Sequence, residues 1–152
     1  MPALRDKTIA IVGGGTMGSA IALGLVRTGS LEPQRALVAD PCQDRRDHLA
    51  SEGIQVFDAA SSMGATSPDV VIIAVKPQVL PDVVKKASDL LGGRLAISIA
   101  AGVKLQALES LMPASRIIRV MPNLPIWAVS GATAVCAGSA ATREDVGLAS
   151  AL

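Results

Sequence analysis

Aromatic residues are almost absent from this chain of 152 residues, which has one phenylalanine, one tryptophan and no tyrosine. That excludes a surface that stacks nucleic-acid bases on aromatic rings. An excess of one charge is lacking too, since 14 basic and 13 acidic residues leave a net charge of +1. Without a basic stripe there is no electrostatic footprint for nucleic acid. Half of the residues are apolar, yet no apolar stretch approaches the ~20 residues that cross a bilayer. The N-terminus, Met1 to Lys7, carries no apolar signal core. Neither membrane nor nucleic acid is therefore expected as a partner, and the protein is expected in the cytoplasm. Cysteine is scarce. Cys42 and Cys136 lack the spacing of a metal site and suit free thiols in a reducing compartment. The single histidine, His48, follows Arg45-Arg46-Asp47 in what reads as a solvated helix face, so no metal site is expected.

What is present begins with a short apolar run, Thr8-Ile9-Ala10-Ile11-Val12. It breaks into Gly13-Gly14-Gly15-Thr16-Met17-Gly18 and passes into a helical pattern. A strand, a glycine turn and a helix start, in that order, are what a dinucleotide site needs. Gly13 permits the tight turn, Gly15 lets the backbone approach a pyrophosphate, and Gly18 lets the helix pack close to the strand. Free N–H groups at the helix start, with about half a positive charge, hold a phosphate without any basic side chain. Asp40 follows about twenty residues beyond Gly18, at the end of the second strand. An acid there accepts from the adenosine ribose and repels a 2′-phosphate. A turn-forming aspartate ahead of Pro41 is the alternative. Arg45 and Arg46 are near enough in sequence to meet a 2′-phosphate, and a solvated helix face explains them equally well.

Further strands are expected at Ala36–Ala39, Ile54–Phe57, Val70–Val75, Leu95–Ile99, Arg116–Met121 and Ala132–Ala137. Helical patterns cover Ser19–Thr28, Gln43–Ser51, a short stretch at Ala59–Ala65, Pro81 to Leu91, and Leu105–Leu111. Val70–Val75 is apolar without alternation, the pattern of a strand buried on both faces. Strands alternating with helices give βαβ units and right-handed crossovers. The expected class is α/β, a Rossmann-like, doubly wound, mainly parallel sheet with helices on both faces. The dinucleotide-binding domain is expected to span residues 1–141. Thr142-Arg143-Glu144-Asp145 then caps a helix whose apolar face (Val146, Ala149, Leu152) stops in mid-pattern. Residues 142–152 are expected to lead toward a further C-terminal part.

Three more stretches close strands at the edge where open α/β sheets bind ligands. In Ala74-Val75-Lys76-Pro77 the proline stiffens the backbone, and Lys76 reaches either a cofactor or solvent. Ile99-Ala100-Ala101 is small enough to leave room for a flat nicotinamide, although tight helix packing uses the same residues. Asn123, in Met121-Pro122-Asn123-Leu124-Pro125, holds an amide ready for a carboxamide or a carboxylate, with a plain turn as the alternative. No histidine with a partner acid, Ser–Lys pair or metal cluster appears, and no catalytic residue is assigned. Such a chain suits hydride transfer, in which the cofactor carries the chemistry.

In series, IVGGGTMGSAI, AVKPQ, SIAAGV and RVMPNLP followed by GAT resemble the N-terminal cofactor domain of the pyrroline-5-carboxylate reductase family. The resemblance covers Ile9 to about Thr133. It implies an NADPH- or NADH-dependent oxidoreductase that passes hydride to the C=N carbon of a small cyclic imine, giving L-proline. It implies that Gly14, Thr16 and Met17 line the dinucleotide and that Asp40 takes its ribose end. Ala74 to Pro77 and Ile99 to Ala101 would face the cofactor, with Asn123 near the nicotinamide or substrate. It also implies an all-helical second domain that builds a homo-oligomer in the full-length protein and grips the substrate. The chain as given is therefore expected to bind nucleotide with little or no reductase activity. Asp40-Pro41-Cys42 departs from the small polar or Asn-Arg residues of many relatives. That tilts the expectation toward NADH, with Asp40→Ser improving NADPH binding relative to NADH. Two rivals stand. One is another Rossmann oxidoreductase, of the hydroxyacid-dehydrogenase or deazaflavin-dependent reductase type. The other is a stand-alone nucleotide-binding module without catalysis.

Overall fold

A computed structural model describes residues 4–122 and 133–152. Its centre is a single sheet of seven strands: β1 (Ile9–Val12), β2 (Ala36–Ala39), β3 (Gln55–Phe57), β4 (Val70–Ile73), β5 (Leu95–Ser98), β6 (Arg116–Pro122) and β7 (Thr133–Ala137). Their order across the sheet is β3-β2-β1-β4-β5-β6-β7. The pairings from β3 to β6 are parallel, and β7 lies antiparallel on β6. The helices are α1 (Thr16–Arg27), α2 (Gln43–Ser51), α3 (Leu80–Lys86), α4 (Ser88–Leu91), α5 (Leu105–Leu111) and α6 (Arg143–Ala151). This is the doubly wound α/β sheet that the alternating patterns imply.

Alternate side chains of each central strand feed two separate cores. Ile9, Ile11, Val38, Ile72 and Ile97 pack with Ala22 and Leu25 of α1, Leu49 of α2, and Leu148 and Ala149 of α6. Ala10, Val12, Val71, Ile73 and Ala96 pack on the other face with Leu80 and Val84 of α3, Leu90 and Leu91 of α4, and Leu108 of α5. Burial on both faces is why these strands read as unbroken apolar runs.

Several boundaries differ from expectation. The apolar run after Val70 continues through Val75, but β4 ends at Ile73. The Ala74 N–H still donates to the Val12 carbonyl of the neighbouring strand β1 at 2.8 Å, the last bond of that ladder. The single helix expected from Pro81 to Leu91 is broken at Ala87, whose φ of −97° and ψ of 15° end α3 and precede α4. Leu80, Val84, Ala87 and Leu91 stay buried across the break, so the side-chain period does not register it. The stretch at Ala60–Thr66 is a 3-10 helix, with Met63 buried. Helix α1 begins at Thr16, inside the glycine motif.

The core also continues past residue 141, where the sequence pattern ends the domain. Helix α6 buries Leu148 and Ala149 in the same core as α1. Its start is pinned by Asp145, 4 % exposed, which accepts from Arg116 Nε at 2.9 Å. The same carboxylate accepts from the Thr142 N–H at 2.8 Å and hydroxyl at 2.9 Å, and Thr142 Oγ1 accepts from the Asp145 N–H at 3.1 Å, which completes a capping box. Burial opposes the charge on Asp145, but Arg116 and the Thr142 donors outweigh it and hold the carboxyl below its ordinary range. A carboxyl whose folded pKa is depressed adds stability above its unfolded value, about 4, and loses it as pH falls through the folded value. Melting temperatures followed from neutral pH to about pH 3 are expected to fall more steeply for the native chain than for Asp145→Asn, which starts less stable. Parallel curves would show that the pair contributes nothing.

Candidate functional site

The chain leaves β1 through α1 toward β2, while β4 lies on the opposite side of β1. The carboxyl ends of β1 and β4 thus form the topological switch point, where open α/β sheets hold their ligands. Gly13, at φ 105°, turns the chain there. A Cβ on Gly13 would stand 2.7 Å from the Ala74 carbonyl oxygen, and one on Gly18 would stand 1.8 Å from the Gly13 carbonyl oxygen. The turn and the helix therefore approach more closely than any side chain allows.

Gly15 differs. It is the N-cap of α1, and a Cβ there would meet nothing within 4 Å. No side chain caps this end, and no acidic residue lies in the first turn. The first intrahelical acceptance at the cap is by the Gly15 carbonyl, from the Ser19 N–H at 2.9 Å. An uncapped, twelve-residue helix aimed into open space at the switch point fits the diphosphate of a dinucleotide.

Asp40 follows β2 and is 4 % exposed. Its Oδ2 accepts from the Gly14 N–H at 2.8 Å and from Arg45 Nη1 at 3.3 Å, while Oδ1 accepts from the Cys42 N–H at 2.8 Å. The bond to Cys42 is that of a turn-forming aspartate. The bond to Gly14 is a tie that the sequence does not announce, because its partners lie far apart along the chain. Arg45 keeps 55 % of its side chain exposed beside this carboxylate, and Arg46 donates to the Asp40 carbonyl at 2.7 Å.

The remaining candidates gather along the same sheet edge. Ala74 and Val75 are half-buried, and Lys76 and Pro77 are exposed after β4. After β5, Ile99 is half-buried, Ala100 buried and Ala101 exposed. The Ile99 N–H donates to the Ile73 carbonyl at 3.1 Å, and the Ala100 N–H to Ser98 Oγ at 3.3 Å. Thr16 is exposed and Met17 half-buried at the start of α1. Asn123 lies outside the described residues. No cluster of metal-ligating side chains occurs among the described residues, and no helix among them is long and apolar enough to cross a membrane. Cys42 and Cys136 are unpaired and exposed.

Residues 8–102 match the family described as NADP oxidoreductase, coenzyme F420-dependent. The chain is 39 % identical over 154 residues to a pyrroline-5-carboxylate reductase of Pisum sativum, a match covering all of this chain and 56 % of that protein. It is 34 % identical over 146 residues to pyrroline-5-carboxylate reductase 3 of Rattus norvegicus, covering 95 % of this chain and 53 % of the other. Among solved structures, a pyrroline-5-carboxylate reductase from Coxiella burnetii superposes with a TM-score of 0.87 at 33 % identity, covering 95 % of this chain and 54 % of that one. The chain thus spans about half the length of the curated relatives it matches.

Proposed function

Because the chain belongs to the family described as coenzyme F420-dependent NADP oxidoreductases, we propose that it holds NADPH or NADH for the reduction of 1-pyrroline-5-carboxylate to L-proline. The observation that carries the substrate is the extent of the similarity. It runs beyond residue 102, where the family match ends, and covers the whole chain in the pyrroline-5-carboxylate reductase of Pisum sativum.

The bound dinucleotide supplies the hydride; the chain's own residues bind and orient. Backbone N–H groups from Gly15 to Met17 take the diphosphate at the open end of α1. The adenosine side lies over β2, near Asp40 and Arg45, and the nicotinamide side over β4 and β5. There Ala74 to Pro77 and Ile99 to Ala101 shape the surface, with Asn123 near the ring or the acceptor. The Asp40 carboxylate is already engaged by Gly14, Cys42 and Arg45. This leaves the exposed Arg45 to meet a 2′-phosphate and, with the NADP of the family description, supports NADPH over the NADH that Asp40 suggests in sequence. Two exposed thiols suit a reducing, cytoplasmic setting. A homo-oligomer of the full-length protein rests on the resemblance alone.

Calorimetric titration of the chain with NADPH and NADH tests the donor, and NADPH oxidation followed by absorbance tests the acceptor. Saturable binding, tighter for NADPH, is expected, with only slight turnover that depends on pyrroline-5-carboxylate. Binding of neither nucleotide would falsify the proposal. Turnover that depends on coenzyme F420 instead would favour the coenzyme F420-dependent oxidoreductase of the family description.

A further inference from the structure

On the sheet face covered by α5, a cleft of about 260 Å³ is lined by Gly102, Val103, Lys104, Leu105, Gln106 and Arg119. Arg119 stands on β6 opposite Ser98 of β5 and Cys136 of β7. Its neighbours Ile118 and Val120 point into the α1-side core, whereas Ile117 points into the α5-side core. Strand alternation therefore turns Arg119 toward α5 and the cleft. The side chain is half-buried, and its Nε is buried without a hydrogen-bond partner among the described residues. Among the described residues Arg119 joins no ion pair.

A guanidinium donor removed from water without an acceptor is costly to hold. The cleft has a second cation in the exposed Lys104 and is lined by no carboxylate. Two cations, one with an unmet buried donor, suit an oxyanion, and the planar guanidinium fork fits carboxylate and phosphate best. The position is informative as well. In the order β1-β4-β5-β6, strand β6 is three strands from β1, about 14 Å away at ~4.8 Å per strand. With the diphosphate at β1 and the adenosine toward β2, the nicotinamide falls over β4 and β5, and the cleft comes next along the edge.

We propose that Arg119 and Lys104 form an oxyanion subsite beside the hydride donor, for the carboxylate or phosphate group of a small ligand. Its location rests on the dinucleotide orientation proposed above; its affinity for an anion does not. The test follows the Arg119 Nε–H correlation by NMR in the isotope-labelled chain. Probes are L-proline, inorganic phosphate and sodium chloride at matched ionic strength, each with and without NADPH. A saturable shift with proline or phosphate, and none with chloride, is expected. Response to proline identifies the carboxylate of the reaction's small molecules as the source, and response to phosphate alone identifies a free phosphate. Lys104→Ala, an exposed change, is expected to weaken binding about threefold, and Arg119→Lys roughly tenfold through loss of the fork. If Arg119→Lys fails to fold, the native titration and Lys104→Ala still decide. No saturable shift, or one reproduced by chloride, overturns the subsite. NADPH affinity of the native chain, measured on the same samples, shows separately whether the cofactor reading stands.

Discussion

Gly18→Ala is expected to lower the melting temperature by roughly 10 °C and to abolish dinucleotide binding. The added methyl would lie 1.8 Å from the Gly13 carbonyl oxygen and 3.3 Å from the Ala74 Cβ. Neither the oxygen nor the start of α1 can yield, because the Gly13 N–H is fixed to the Ala39 carbonyl at 2.8 Å and Gly18 lies in the helix. Strand and helix must separate, disturbing fold and site together. Gly15→Ala makes the informative contrast. Its methyl would meet nothing within 4 Å, and φ is an ordinary −69°. Loss of a glycine N-cap and the gain in backbone stiffness oppose each other, so stability should stay within about 1 kcal/mol. That methyl nonetheless stands where the diphosphate must approach, and NADPH affinity is expected to fall more than about tenfold. Wild-type affinity in Gly15→Ala would remove the diphosphate from this loop, whatever Gly18→Ala does.

The second large effect is expected at Asp40. Asp40→Ser removes the acceptor of the Gly14 N–H and of the Cys42 N–H, and leaves Arg45 without its carboxylate. A buried N–H left without its acceptor costs about 1–3 kcal/mol. The Gly14 N–H sits inside the glycine turn, so affinity for NADPH and NADH should both fall, by about tenfold or more at that cost. From sequence, the same change is expected to improve NADPH relative to NADH. Titration of both nucleotides separates the two effects: a common loss measures the tie to Gly14, and a change in the ratio measures contact with the ribose. Undiminished binding of both would mean that the tie does not organise the loop.

The glycine turn, the parallel strands and the ligand edge were legible because their requirements are local. A turn with positive φ, a close helix approach and a strand buried on both faces each leave a mark on consecutive residues. Asp40 shows where that ends. Its two sequence readings, ribose acceptor and turn former, are both local, whereas its bond to Gly14 joins the ends of two strands and has no signature in either segment. The break at Ala87 is hidden for another reason, since a backbone change that preserves the apolar stripe leaves the side-chain pattern intact. Arg119 carries a local signal of another kind. A cation between Ile118 and Val120, in a strand otherwise apolar from Ile117 to Met121, is a charge that needs a partner.

Strand β7 bears on how the protein must be handled. It closes the sheet on one side with Thr133-Ala134-Val135-Cys136-Ala137, mostly exposed and carrying neither charge nor proline. Among the described residues no further strand lies beside it, so this edge offers its backbone groups to any extended segment that drifts alongside, and it carries neither lysine nor proline as a deterrent. Cys136 is exposed on the same edge. In air, a transient pairing of two molecules through β7 can be locked by a disulfide, turning a reversible encounter into a covalent dimer and a seed for aggregation. Reductant thus guards colloidal stability as well as the thiol.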